Sequence, residues 1–311
     1  MDMRQVSIAA ILTSGLICCH TFAAKAQEPQ TALAHIKYEF VHLDDTNFRD
    51  NPRKEEMMLY IGQDAVMYNS FTLAATLEKL KEDMEKRTGI AAGNTGQRNG
   101  TGQSRVFINA PNMSNETLYL FPEAGKAFVV NRLGTTTYII PHRFPNIEWQ
   151  INEAVREVGG YSCQQATGTF GGRQYTAWFT TELPFPYGPW KLQGLPGLIL
   201  EAEDSTGEVM FRYAGFDIQE GSGIEIALPE DAVTTTAKDF AKAKAAFDKN
   251  PMANALRNAE TPRGANTQRK MVLKDQSGRE LSPEEFNAIR EMAMKEGKIK
   301  QLNNPLELED K

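Results

Sequence analysis

The first pattern along the chain is alternation. In "HIKYEFVHL", His35 to Leu43, the apolar residues Ile36, Tyr38 and Phe40 are separated by polar ones, which is the period of a strand with one buried face. "EEMMLYIGQDAVMYN" follows as two short apolar runs around Gly62-Gln63-Asp64 and predicts a hairpin. The period then changes. Across Phe71–Arg87, Leu73, Leu77, Leu80 and Met84 recur three or four positions apart, which predicts an amphipathic helix packed on the strands. Residues 88–104 hold five glycines and almost no apolar bulk, the composition of a flexible insertion. Too little core precedes this stretch for it to separate two domains.

Strand signals fill the next hundred residues. "ETLYLF", "KAFVVNRL", "TTTYII" and "EWQI" are short, β-branched or aromatic, and punctuated by Pro, Gly or Asn. Leu133-Gly134-Thr135, Gly171-Gly172 and Ser205-Thr206-Gly207 sit between such runs, and turns this short join antiparallel neighbours. After about residue 229 the composition shifts. "AKDFAKAKAAFDK" is Ala- and Lys-rich and helical, with Phe240 and Phe247 on one side. In "SPEEFNAIREMAMKEGK" Ser282 stands at a cap, Pro283 at the first helical position and Glu285 three after the cap, a capping box. The expected fold is mainly β: a curved antiparallel sheet or partial barrel, one packed helix, and a helical C-terminal extension.

The N-terminal pattern is of another kind. Arg4 precedes an apolar run from Val6 to Ile17, and Ala24-Lys25-Ala26 has the spacing of a signal-peptidase site. Residues 1–26 therefore predict a secretory signal, cleaved before Gln27. Lipidation at Cys18 or Cys19 is the lesser alternative. The expected organisation is signal peptide 1–26, a β-rich domain 27–229 and a helical or irregular extension 230–311. No other run approaches the roughly 20 apolar residues of a membrane span. The formal net charge of −6 gives no footprint for nucleic acid, which needs clustered Lys and Arg. After cleavage Cys163 is the lone cysteine, so stability rests on packing rather than on an intramolecular disulfide.

Leu195-Pro196-Gly197-Leu198 has the residue order of a type II turn, with proline fixing the second position and glycine taking positive φ at the third. Gly194 adds a backbone that can be approached closely. Beyond it Leu198, Leu200 and Ala202 face one side of a strand, and Ile199, Glu201 and Glu203 the other. The turn enters a strand rather than a helix, which excludes a phosphate loop. "GLPGLILEAED", preceded by "GRQYTAWFTTELPFPYGPWKLQ" and "YSCQQAT", resembles the GLPGLI family of exported Bacteroidota proteins, closely over Tyr161 to Asp204. The resemblance implies a periplasmic or outer-membrane-associated protein of the Gram-negative envelope and suggests a companion of outer-membrane uptake systems. It supplies no catalytic residues.

Chemistry is sparse. His35 and His42 lie an odd number apart on one strand and face opposite sides. With one cysteine there is no zinc signature, and "EAED" at 201–204 reads as a solvated strand end rather than a calcium loop. No metal or other cofactor is expected. A thiol hydrolase would pair Cys163 with His142, and a carboxylate pair is the other catalytic option. The strongest cluster is aromatic: Trp178, Phe185, Tyr187 and Trp190, on a loop stiffened by Pro184, Pro186 and Pro189. Rigid aromatics of this kind suit an apolar groove or a partner surface, or they plug one end of the sheet. The reading is a non-enzymatic envelope protein with an apolar or peptidic partner, the hydrolase being the alternative.

Overall fold

A computed structural model of the chain describes residues 29–88, 113–134, 136–218, 223–249, 273–274, 280–296 and 302–308. The predicted signal peptide, Cys18 and Cys19, and nearly all of the 88–104 insertion lie outside them. The elements run β1 (Gln30–Thr31), β2 (Ala34–His42), β3 (Arg53–Ile61), β4 (Val66–Ser70), α1 (Phe71–Thr88), β5 (Glu116–Phe121), β6 (Lys126–Leu133) and β7 (Thr136–His142). There follow β8 (Gln150–Val158), β9 (Tyr161–Phe170), β10 (Arg173–Thr180), β11 (Leu198–Asp204), β12 (Val209–Ile218), β13 (Glu225–Ile226) and β14 (Val233–Thr234). The remainder is α2 (Ala237–Lys249), β15 (Leu273–Lys274), β16 (Glu280–Leu281) and α3 (Pro283–Lys295).

Twelve strands form one sheet in the order β14-β7-β6-β5-β4-β3-β2-β12-β11-β10-β9-β8. Every pairing is antiparallel except β14 on β7, and the predicted short turns join four of the neighbouring pairs. The predicted hairpins fall at Gly62–Asp64, Gly134, Gly171-Gly172 and Ser205–Gly207, and two more turn at Pro122–Gly125 and Gly159-Gly160. The sheet stays open, with β8 and β14 at its edges, but it wraps a shared core. Ala127 of β6 and Leu118 of β5 belong to the same buried cluster as Cys163 and Ala166 of β9. A second, smaller cluster holds the alternate residues of β4 and β5, such as Met67, Tyr119 and Phe121, and includes Ile226 of β13. Strands β4 and β5 are thus apolar on both faces, as their sequences require.

The main core is completed by the 181–197 loop, where Leu183, Trp190, Leu192 and Leu195 are buried. At about 1.5–3 kcal/mol for each fully buried large side chain, this loop is a structural layer. Two of its glycines exchange the roles the sequence suggested. Gly197 does not take positive φ; its N–H donates to Leu195 O at 2.8 Å, a three-residue turn around Pro196. A Cβ there would lie 2.1 Å from Thr180 O, so Gly197 serves close approach. Gly194 is the residue with positive φ, 92°, and has open space around its Cα. Trp190 also has positive φ, 55°, a conformation that costs of order 1–3 kcal/mol outside glycine and is held by its surroundings.

Among its described side chains, helix α1 meets the sheet near its start. Glu56 N donates to Thr72 Oγ1 at 2.7 Å, and the Lys37 ammonium lies 5.0 Å from the Phe71 ring. None of its described side chains is buried. The C-terminal region is built onto the sheet at two places. Beside β14, Phe240 of α2 packs edge-on against Tyr138 of β7, and residues 302–308 lie along the strand ends of β2, β10 and β12. The capping box of α3 is formed as its residues predict: Ser282 N donates to Glu285 Oε2 and Glu285 N to Ser282 Oγ. No described helix is long and apolar enough to cross a membrane.

Candidate functional site

The largest concentration of buried polar chemistry lies at one end of the sheet. Strands β2, β3, β10 and β11 each carry an inward row of apolar residues that ends in a polar one. Ile36, Tyr38 and Phe40 lead to His42; Ile61, Leu59 and Met57 lead to Glu55; Phe179, Ala177 and Tyr175 lead to Arg173; Leu198, Leu200 and Ala202 lead to Asp204. Register aligns these ends, with Val209 of β12 opposite His42 and His42 opposite Arg53. The result is a polar seam over an apolar core.

Arg173 organises the seam. Its side chain is only 3% exposed. Nη1 donates to Asp204 Oδ2 at 2.7 Å, Nη2 to Asn304 Oδ1 at 2.5 Å and Pro305 O at 2.8 Å, and Nε to Leu306 O at 3.1 Å. Burial works against ionisation of Asp204. Hydrogen bonds from Thr206, the Val209 N–H, Arg173 and the Glu208 N–H more than offset it, so the carboxyl lies below its ordinary range. "EAED" is therefore not uniformly a solvated strand end. Glu203 is exposed, whereas Asp204 closes an inward row and is buried.

His42 and Arg53 continue the seam. His42 Nδ1 lies 3.1 Å from Arg53 Nη2, which assigns it as the acceptor and places the proton on Nε2. Nε2 is buried with no well-formed hydrogen bond among the described residues. Burial, then the charges of Arg53 and Arg173, push the imidazole down to about 3, against the Asn304 backbone and Asp204. His42 is therefore neutral at pH 7. Arg53 lies 3.3 Å from Asp44 Oδ2 and 3.2 Å from Glu55 Oε1, and Glu55 also accepts from Ser70 and Ser114.

Residues 302–308 lie in this seam as an irregular strap with bends at Asn304, Leu306 and Leu308. Asn303 N and Asn304 N donate to Asp44 O at 3.1 and 3.2 Å, and Thr46 N donates to Asn303 Oδ1 at 2.9 Å. Asn304 Nδ2 reaches Leu43 O and Glu208 Oε2. Leu308 N donates to Gly171 O at 2.7 Å. The strap runs so close to the β9–β10 turn that a Cβ on Gly171 would lie 2.9 Å from Glu307 Cγ. Glu307 is ion-paired with the buried Lys191, and its Oε2 is 3.8 Å from His142 Nε2. His142 Nδ1 lies 2.8 Å from Arg143 O, and its Nε2 lies 2.8 Å from Lys191 Nζ. Burial opposes ionisation of Glu307, but His142 and the Lys191 ammonium bring its carboxyl down to about 2.

The residues singled out from sequence go to different neighbours. Trp190 is buried edge-on to Phe170 at 5.5 Å, and Phe185 is half-buried beside Phe216. Tyr187 is half-buried against the main core and gives its carbonyl to Ile199 N. Trp178 lies under the Arg156 guanidinium at 4.2 Å and lines an open groove of about 260 Å³ with Glu201, Glu203 and Arg212. Cys163 is buried on β9, its Sγ 3.6 Å from Tyr161 O. Burial pushes its thiol up to about 11, so it carries almost no thiolate at neutral pH. No hydrogen bond joins it to His142, whose ring is engaged by Arg143 and Lys191. Among the described residues no three His, Cys, Asp or Glu side chains converge as a metal site.

A family model described as "Protein of unknown function (Porph_ging)" matches residues 169–201. That segment runs from the end of β9 through Arg173, the 181–197 loop and Lys191 into β11, and it is consistent with an uncharacterised family of Bacteroidota type. No curated protein matches. Among solved structures, that of PNGF-II in space group P21 aligns over 68% of this chain at 11% identity with a TM-score of 0.45. The C2 form of PNGF-II gives 68%, 10% and 0.44. This chain spans about a third of the length of PNGF-II, 33% and 32% in the two forms. A likeness that loose carries neither fold nor activity across.

Proposed function

We propose that this chain is an exported, non-enzymatic binding or accessory protein of the Gram-negative envelope, of the GLPGLI type, with a peptidic partner. The observation that carries this reading is the seam. Its buried charges, Arg173 and Lys191, are directed at the carbonyls, side-chain amide and carboxylate of residues 304–307, the chemistry of peptide recognition. The residues offered for catalysis lend the hydrolase reading no comparable support, since the Cys163 thiol is buried, protonated and not hydrogen-bonded to His142. The aromatic loop contributes mainly as the layer that holds Lys191 and Gln193 in place: Trp149 Nε1 donates to Gln193 O, and Gln193 Nε2 to Pro145 O. A signal peptide at 1–26 and periplasmic or outer-membrane association complete the proposal, with an outer-membrane uptake component as the class of partner.

The test is fractionation of the native envelope followed by crosslinking and native mass spectrometry of the purified protein. A stoichiometric peptide or protein companion in the envelope fraction is the expected result. Recovery from the cytoplasm without a companion, or hydrolytic turnover abolished by Cys163→Ser, would overturn the reading.

A further inference from the structure

The strap makes the seam more than a structural joint. Its contacts read side chains: Asn303 and Asn304 through Thr46, Leu43 and Glu208, and Glu307 through Lys191. Its backbone is also read, at Pro305 O and Leu306 O by Arg173 and at Leu308 N by Gly171. Apolar burial contributes little. Leu302 is 70% exposed, Pro305 is exposed, and Leu306 is only partly buried against the core. A segment fixed by polar readout with little apolar area is specific without being deeply anchored. Such segments open locally at a lower free energy than the strands beneath them.

We infer that the seam is a sequence-reading peptide site in which residues 302–308 act as a resident, displaceable ligand. A partner peptide would present the same pattern: two asparagines, a proline, an apolar residue and a carboxylate. This inference rests on the reading of the protein as a binding module and gives that reading its site and its ligand class. Three features set the specificity. The Asn304 amide is buried between Arg173 and Leu43, so a residue without both a donor and an acceptor leaves one of them unpaired. The proline needs no donor partner where its ring faces solvent. The carboxylate position faces a lysine that is itself buried and needs an anion.

The resident strap competes at a high effective concentration, of order millimolar for a tethered segment. A free peptide therefore gains access chiefly when the strap is weakened. The experiment uses the full chain and a fluorescein-labelled peptide of residues 302–308, followed by fluorescence anisotropy. The chain carrying Asn304→Ala is expected to bind the peptide at least tenfold more tightly than the unmodified chain. A peptide carrying Asn304→Ala and Glu307→Gln is expected to bind that chain at least tenfold more weakly than the native peptide. Equal binding of the two peptides, or no binding by an Asn304→Ala chain that keeps its thermal transition, overturns the inference. So does an Asn304→Ala chain that fails to fold, because the strap is then part of the core.

Hydrogen exchange on the unmodified chain gives a second readout. The Asn303, Asn304 and Leu308 amides are expected to exchange faster than those of β10 and β11. Exchange only with global unfolding overturns the inference. Peptide binding in vitro without any envelope companion would sink the proposed function and leave this site standing, and a companion with no peptide selectivity would do the reverse.

Discussion

Arg173 and Arg156 belong to one sheet, on β10 and β8, yet they live in different physical worlds. Arg173 is 3% exposed and donates to a carboxylate, a side-chain amide and two carbonyls. Arg156 is 43% exposed, lies over the face of Trp178 and is ion-paired with Glu201. The first has no water to fall back on, and its loss would leave Asp204 without its cationic partner and Asn304 Oδ1, Pro305 O and Leu306 O without that donor. The second is paired only by choice, since solvent would serve it nearly as well. Equal formal charge thus carries unequal weight, and the difference is set by which face of a strand each residue occupies.

The sharpest way to break this comparison is to remove each arginine. Arg173→Ala is expected to cost about 3–5 kcal/mol, the range for a buried ion pair broken on one side, read as a lowered midpoint in urea denaturation. A loss under about 1 kcal/mol, the range of exposed pairs, would erase the distinction. Acid probes the same buried region through His42. Its folded-state value lies below the unfolded one, so its contribution is present above pH 6.5 and is lost as pH falls toward 3. Between pH 7 and pH 4.5 the chain should lose about 2–3 kcal/mol by this route. His42→Gln should lose correspondingly less over that interval in the same denaturation experiment.

At the other arginine the effects shrink. Arg156→Ala is expected to cost no more than about 1 kcal/mol, given the worth of exposed ion pairs and cation–π contacts. Raising salt to about 1 M, where the screening length falls to about 3 Å, should narrow that gap further while leaving the Arg173→Ala deficit nearly intact. Denaturation curves at two ionic strengths read both. A deficit at Arg173 that salt removes would mean its pair is wetter than its geometry implies.

The strands were legible because period-two alternation and glycine turns are local signals. The seam was legible in part. Arg173 shares its parity with Tyr175, Ala177 and Phe179, and Asp204 shares its parity with Leu198, Leu200 and Ala202, so a polar residue closing an apolar row marks a buried charge in need of a partner. That parity is what "EAED" conceals when its acids are taken together. Lys191 and Gln193 sit in an irregular loop with no period to place them. The strap was not legible, because "QLNNPLELEDK" has the polarity of a solvated tail and its partners lie up to 261 positions away. The swapped duties of Gly194 and Gly197 were hidden for a related reason. Residue order names a turn type, but the Thr180 carbonyl that crowds Gly197 comes from a neighbouring segment.

The bond from Asn304 to the Leu43 carbonyl also has a kinetic side. Closing so long a loop adds little to the equilibrium cost, since that cost grows only with the logarithm of length. It does, however, set an order of events. Hairpins such as β9–β10 form between near neighbours, whereas the strap can find its place only after distant strand ends have been assembled. Contacts made after the rate-limiting step act on the way out rather than on the way in. Weakening the strap should therefore shorten the lifetime of the native state and leave its rate of formation almost unchanged.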